Sequence, residues 1–295
     1  MYSGSVTMMY GVKDVNKIYA GIVTYNPVIT GLQDNIEAIC NQVPLILIFD
    51  NGSDNIEDIR NIVSKITNII LLESKMNIGI AAALNRLMQW GDDNNYTWML
   101  SLDQDSTCPE NYCKNALTLL EVLPNIGIIG PVINDRKVGI VGHNPDGKYG
   151  IVNTCITSGA FVKIDVWKKV GKYDERMFID SVDFEFCFRI RRAGYYILQS
   201  RKLILSHSIG DGRIVSIGPF KKKIKEHSAF RCFYIAQNNI YYPRKHKLPL
   251  YYIRGNYRNL KNIFNILLFE KDKSNKIYAI FHGWKHGLFM NIEDK

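Results

Sequence analysis

Asp103-Gln104-Asp105 follows directly on the apolar run TWMLSL. In an extended chain, residues i and i+2 project to the same side. Two carboxylates so placed offer hard oxygen ligands to Mg²⁺ or Mn²⁺, and a cation held by few protein groups keeps positions open for phosphate oxygens. The same residues would also make an ordinary acidic turn. A second acidic group, Asp180, Asp183 and Glu185, precedes Arg189, Arg191 and Arg192. Carboxylates in a first helical turn complement the helix dipole, and one placed in a site could take the proton of an attacking hydroxyl. His207 closes the run LILSH, either as a further metal ligand or as a hydrogen-bonded strand-end histidine. Asp50-Asn51-Gly52-Ser53 reads as a turn in which Ser53 or Asp54 caps the next helix, and Asp50 could accept a hydrogen bond from a base or sugar. Asn77-Ile78-Gly79-Ile80, followed by three alanines, combines a turn with a helix start. A helix N-terminus favours phosphate, although tight packing explains the alanines equally well.

These residues need a scaffold that brings strand ends together. IYAGIVTY (18–25), LILIF (45–49), NIILLE (68–73) and TWMLSL (97–102) read as buried strands. Helices are expected over Gln33–Asn41, Ile56–Thr67 and Ile80–Trp90. Such alternation predicts an α/β fold, a mostly parallel sheet flanked by helices on both faces. Ligands of these sheets bind beyond the carboxyl ends of the strands, so Thr24–Asn26, Asp50–Ser53 and Asp103–Asp105 should share one rim. Further along we expect a helix over Pro109–Leu123, an edge strand at 126–133, a loop over Gly139–Asn153 and a strand at 158–164. An amphipathic helix over Phe184–Ala193, ended by Gly194, should precede short strands at 195–198 and 203–207. Beyond Pro219 the chain turns to Lys-, Arg- and Tyr-rich helices, roughly 226–242, 249–269 and 273–289, an appendage with Lys221-Lys222-Lys223 as a solvated link.

With 295 residues, 46% hydrophobic and 22% charged, the chain can bury a sizeable core and is not a disordered polymer. No motif recurs at a fixed period, which argues against a solenoid or propeller. No apolar run reaches the ~18 residues that a bilayer span requires, and the start MYSGSVTMMYGVKD does not suggest a secretory signal. Cysteines 40, 108, 113, 155, 187 and 232 lack C-x-x-C spacing, which argues against a zinc site or disulfide framework and suits a reducing cytosol. The net charge of +9 is unevenly spread. Residues 1–185 hold 15 Lys and Arg against 22 Asp and Glu, a balance of −7, whereas residues 186–295 hold 22 against 6, a balance of +16. The C-terminal part should therefore face something anionic: a nucleic acid, a phosphorylated ligand or a membrane surface.

Taken in order, VTYNP (23–27), FDNGS (49–53), NIGIAAALN (77–85), LDQDS (102–106), TSGAFV (157–162), FIDSVDFEFCFRIRRAGY (178–195) and LSHSIGD (205–211) resemble the family-two inverting glycosyltransferases of the GT-A, Rossmann-like fold. More narrowly, with HSAFRCFYIAQNNIYYPRK (227–245), the chain resembles bacterial rhamnosyltransferases of surface polysaccharide (O-antigen) synthesis. The resemblance implies a nucleotide-sugar-binding and catalytic domain over 1–217 and a basic helical region over 218–295 that faces acceptor or membrane. It implies that Thr24, Tyr25 and Asn26 line the nucleotide pocket, that Asp50 contacts the pyrimidine beside Asn51, and that Asn77, Gly79 and Gln104 border the donor. Asp103 would touch ribose or metal-bound water, and Asp105 would bind Mg²⁺ or Mn²⁺, with Asp103 or His207 as further ligands. Asp183 matches the catalytic base; Val182 stands where the family's first acid of that pair is usual, and Glu185 is a second candidate. Arg189 or Arg191 would meet the diphosphate or form a solvated helix face, Ser158 and Gly159 would lie at the acceptor, and Gln237 replaces a usual arginine.

The implied reaction moves L-rhamnose from dTDP-L-rhamnose to a polyprenyl-diphosphate-linked saccharide in the cytoplasm, with peripheral contact between protein and anionic inner membrane face. Residues 277–289 would be an interfacial helix or an ordinary core-covering one. A UDP-hexose donor on the same fold is the near alternative. A non-catalytic nucleic-acid-binding protein, suggested by a pI near 9.1, is the distant one. The acidic first 185 residues and the lack of a basic-aromatic stripe on any strand count against nucleic acid.

Overall fold

A computed structural model describes residues 17–135, 139–206, 213–217, 220–224 and 226–292. From Ile18 the described residues alternate strands and helices: β1 (Ile18–Thr24), α1 (Ile29–Ile39), β2 (Ile46–Asp50), α2 (Ile56–Val63), β3 (Ile69–Glu73), α3 (Ile80–Asp93) and β4 (Trp98–Asp103). After α4 (Tyr112–Leu117) come β5 (Ile126–Asp135), β6 (Gly139–Val141), β7 (Gly150–Ile151), β8 (Ala160–Lys163), α5 (Ile164–Lys169), α6 (Val182–Arg192) and β9 (Tyr196–Ser206). A hairpin, β10 (Arg213–Ile217) and β11 (Phe220–Ile224), leads to α7 (Ala229–Lys245), α8 (Pro249–Phe269) and α9 (Lys273–Phe289).

The main sheet runs β3-β2-β1-β4-β8-β5-β9-β7, with β6 beside β5. Strands β3, β2, β1 and β4 are parallel, β8 lies antiparallel between β4 and β5, and β5 and β9 are again parallel. Side-chain alternation along β1 builds two cores. Ile18, Ala20 and Ile22 pack with Leu32, Ile36 and Ile39 of α1, while Tyr19 packs on the other face with Leu84, Leu87 and Met88 of α3. Each fully buried Leu or Ile stabilises the fold by roughly 1.5–3 kcal/mol, and burial on both faces explains why these strands read as continuous apolar runs. The register then aligns the strand ends, pairing Thr24 with Asp50, Asp50 with Glu73, and Val23 with Asp103.

Several elements depart from the sequence expectation. Strand β5 is internal to the sheet, not at an edge, since β8 and β9 pair on its two sides. The two short strands expected over 195–207 are one strand, β9. Its register skips between Pro131↔Ser200 and Val132↔Ile204, so Arg201 and Lys202 bulge outward without ending it. Helix α4 is limited to six residues, opened by Asn111 in the left-handed region. The expected loop 139–153 contains β6 and β7, and α5 follows β8 directly. Lys221-Lys222-Lys223, expected as a solvated link, lies within β11 of an antiparallel hairpin.

The C-terminal helices pack by close backbone approach. A Cβ at Gly283 of α9 would collide with the Phe233 carbonyl of α7. Asn239 of α7 donates to Asn259 of α8 (2.9 Å), whose own amide donates to the Ala236 carbonyl (3.1 Å). Helix α7 in turn joins the sheet domain: Tyr241 is fully buried in the α3-side core, and Asn238 donates to the carbonyls of Ile179 and Asp180 (2.8 and 2.7 Å). Residues 277–289 thus form a helix packed on α7, with Ile280, Gly283 and Gly287 buried, which answers to the core-covering alternative. No helix among the described residues is long and apolar enough to cross a membrane.

Candidate active site

The parallel strands deliver their chemistry to one rim. At the tip of β4, the Asp103 amide donates to the Ser158 hydroxyl (3.2 Å), and its carbonyl accepts from the Asn35 amide (2.7 Å). Asp103 is half-buried and Asp105 exposed. Gln104 accepts from the Tyr25 amide (2.8 Å), joining the β4 and β1 loops. Asp103 and Asp105 offer oxygen donors only, the type that a hard divalent cation binding diphosphate oxygens prefers. Among the described residues no three His, Cys, Asp or Glu side chains gather into a fuller cage, and His207 lies outside the described residues.

Asp50 corrects one expectation. Its carboxylate is buried and accepts four hydrogen bonds, from the Thr24 hydroxyl, the Ser53 hydroxyl and the amides of Gly52 and Ser53. Those donors fill the roughly four acceptor positions of a carboxylate, so Asp50 holds the β2 turn and has none left for a pyrimidine. Ser53 and Asp54 do not cap α2 either: Asn55 occupies the cap position without a side-chain bond. Ser53 instead accepts from the Asn26 amide (2.8 Å), and Asn26 accepts from the Asp54 amide (2.7 Å). Buried Thr24, exposed Tyr25 and left-handed Asn26 thereby form one hydrogen-bonded rim with the β2 turn.

Asn51 carries this rim to α3. Its side chain donates to Asn77 (3.0 Å) and accepts from the Ile78 amide (2.9 Å), while Asn77 accepts from the Gly79 amide (2.9 Å). Gly79 has φ +86°, and an added Cβ would lie 2.7 Å from the Phe178 ring. The Ile80 amide donates to the Phe178 carbonyl (2.8 Å). The start of α3 is therefore locked to the loop before α6.

That loop presents Asp183. Asp180 and Ser181 both take positive φ, +67° and +61°, strained for residues other than glycine. Asn238 holds the carbonyls of Ile179 and Asp180, and Arg231 forms a fork with the Asp180 carboxylate (2.8–3.2 Å). Asp183 then opens α6 over a small apolar pocket lined by Cys155, Ala160, Tyr173, Phe186 and Cys187. Burial raises its pKa to about 6 against the lowering effect of the Phe184 amide, and the charges of Asp103 and Asp180 raise it further. Asp183 and the β4 carboxylate thus lie within each other's field, and a carboxylate poised near neutrality suits proton abstraction.

Glu185, two residues on, faces elsewhere. It is fully buried and receives Arg189 (2.7–3.0 Å), Lys245 (2.7 Å) and His246 (2.9 Å). Burial alone would raise its pKa, but the hydrogen bonds of His246 and Arg189 and the charges of Arg189 and Lys245 hold it well below the usual range. Such a carboxylate joins α6 to α7 and is too weak a base for catalysis. Arg189 is committed to Glu185 and the Val170 carbonyl instead of a diphosphate, and Arg191 is exposed on Asn153 (3.0 Å). Ser158 is buried beneath Asp103, and the amide of Gly159 donates to Ser101 (2.7 Å), so both brace the strand end where an acceptor contact was expected. Gln237 is buried between the Arg176 carbonyl and His286. A cleft of about 920 Å³ lined by Lys172, Arg176, Arg189, Arg192, Lys245 and others includes none of the strand-end residues.

The supporting residues Asn35, Asn238 and Arg231 escaped the sequence reading. Asn35 had a signal: it interrupts the buried stripe Leu32, Ile36, Ile39 of α1, and a polar residue on an apolar face needs a partner.

Comparison with known proteins follows the same line. A family model described as glycosyl transferase family 2 matches residues 19–180. A dTDP-rhamnosyl transferase, RfbF, of Shigella flexneri is 28% identical over 250 residues, covering 80% of this chain and 82% of that protein. Among solved structures, GalNAc-T7 with UDP, GalNAc and Mn²⁺ superposes with a TM-score of 0.59 at 12% identity; the match covers 95% of this chain and 57% of that one. The mannosyltransferase PcManGT of Pyrobaculum calidifontis, with GDP-Man and Mn²⁺, gives 0.58 at 12% identity over 92% of this chain and 87% of that one. These neighbours share the GT-A fold.

Proposed function

The chain belongs to glycosyl transferase family 2, and on that premise we propose that it transfers L-rhamnose from dTDP-L-rhamnose to a hydroxyl of a lipid-linked saccharide, with inversion. The observation that best supports the reaction type is the nearness of Asp103, at the tip of β4, to Asp183, whose pKa its charge raises. Similarity to the Shigella dTDP-rhamnosyl transferase supports the donor. The basic C-terminal third supports an anionic, lipid-diphosphate acceptor of the kind used in surface polysaccharide assembly at the cytoplasmic leaflet.

In the reaction, the acceptor oxygen bonds to the anomeric carbon as the bond from that carbon to the diphosphate breaks. Asp183 takes the acceptor's proton at a carboxylate oxygen, help typically worth ~10²–10⁴-fold, and the nucleoside diphosphate leaves. Asp105, with Asp103, would hold Mg²⁺ or Mn²⁺, which supplies Lewis-acid stabilisation of the departing diphosphate. Tyr25, Asn26, Asn51, Asn77 and Gly79 shape the nucleotide-facing rim. Asp50 and Thr24 keep it rigid.

A thermal-shift panel of dTDP-, UDP- and GDP-sugars, with and without Mn²⁺, tests this reading, because ligands that bind the native state raise its stability. dTDP-L-rhamnose with Mn²⁺ should give the largest shift. A larger shift with a UDP-hexose would overturn the donor assignment, and no shift with any nucleotide sugar would overturn the reading as a whole.

A further inference from the structure

Among the described residues, none covers the outer face of helix α8. Leu250, Ile253, Tyr257, Leu260, Phe264 and Leu267 are 48–78% exposed, and their spacing of three and four residues places them on one side of the helix. Gly255, Asn259 and Ile266, buried toward the other helices, occupy the opposite side. The apolar stripe therefore runs about 27 Å at ~1.5 Å rise per residue. Contiguous exposed apolar surface of that kind marks an interaction site. Arg254, Arg258 and Lys261 are exposed along one edge, and α8 carries no Asp or Glu.

We propose that α8 is the membrane-docking element of this protein, lying in the plane of an anionic bilayer with its apolar stripe among the acyl chains. Its cations then meet phosphate headgroups, as in interfacial helices. Charge selects this occupant over a second copy: antiparallel pairing of two α8 stripes would bring together edges that carry only positive charge. The balance of +16 over residues 186–295 acts in the same direction. The sequence left residues 277–289 open between an interfacial and a core-covering helix; α9 packs on α7, and the longer uncovered stripe lies on α8. The proposal goes beyond sugar transfer and does not depend on it, since binding is read without donor or acceptor.

The test is flotation of the full chain with vesicles of equal parts phosphatidylglycerol and phosphatidylcholine, against phosphatidylcholine alone. The wild type should float with the anionic vesicles at low salt and be released at high salt as screening shortens the reach of its charges. Leu260→Asp with Phe264→Asp, and separately Arg254→Glu with Arg258→Glu, should each lower binding about tenfold or more. As a milder probe, Phe264→Trp should shift its emission to the blue when anionic vesicles are added. The proposal is overturned by equal retention on neutral and anionic vesicles, by no retention on either, or by wild-type flotation of the charge-reversal variant. It also falls if the aspartate pair dissolves a dimer while vesicle binding persists.

Discussion

Two carboxylates of one helical turn have opposite chemistry because their surroundings differ. Asp183 sits over an apolar pocket and within the field of Asp103, so its proton is held up to about pH 6. Ionised, it can accept a proton, and kcat/KM for sugar transfer should therefore rise through about pH 6. A pH–rate profile flat from 5 to 8, or with an acid limb near the ordinary value of 3.8, would contradict the assignment. The same shift acts on stability: the folded state binds this proton more tightly than the unfolded chain. The benefit is complete below 3.8 and disappears as pH rises through about 6. Glu185 behaves in the reverse sense. Its pKa is lowered, so its contribution is present above the usual 4.5 and is lost as pH falls below it. Removing one partner of a buried ionic cluster costs about 3–5 kcal/mol. Glu185→Gln should destabilise by that order at pH 7 in urea melts, and the difference from wild type should shrink in acid.

At the scale of elements, the site depends on how α3, α6 and β4 meet. Gly79 serves as a hinge pin, with a left-handed backbone against Phe178. Gly79→Ala should destabilise the fold by more than about 1 kcal/mol, since alanine there meets both positive φ and the Phe178 ring. It should also lower transfer by moving the loop that carries Asp183, and crystallography of the variant would show Phe178 displaced. The β–α alternation to residue 103 was legible because those strands are buried on both faces and end in turn residues. Boundaries were lost where polar side chains interrupt an element that hydrogen bonds continue, as at Ser200–Lys202 in β9. The sequence marked Asp103, Asp105 and Asp183, and the structure sets Asp103 within the field of Asp183. The rim was not legible at Asp50, whose type permits ligand or turn duty alike and whose four donors come from three residues distant or adjacent in the chain. Glu185 could not be separated from Asp183 by spacing either, because its partners Lys245 and His246 lie about sixty residues away.

The whole molecule joins the sheet whose strand ends form the proposed donor site to a helical layer that braces it from α7. Asn238, Arg231, Lys245 and Tyr241 of α7 all reach the segment 174–185 that presents Asp183. Loosening the helical layer should therefore be felt at the base. Gly283→Val, which pushes α9 from the Phe233 carbonyl, should lower the melting temperature and increase amide exchange along α7, with a smaller loss of donor affinity than of turnover. Hydrogen exchange unchanged in α7 would show the helices to be independent of one another.

The most direct measurement is sugar transfer by Asp183→Asn at saturating dTDP-L-rhamnose and Mn²⁺, with donor affinity measured on the same sample. The substitution keeps the side-chain shape and removes the proton acceptor. Turnover should fall ~10²–10⁴-fold while the donor Kd changes less than about twofold, because Asp183 contributes to the chemical step and not to donor binding. Wild-type turnover in that variant would contradict the account.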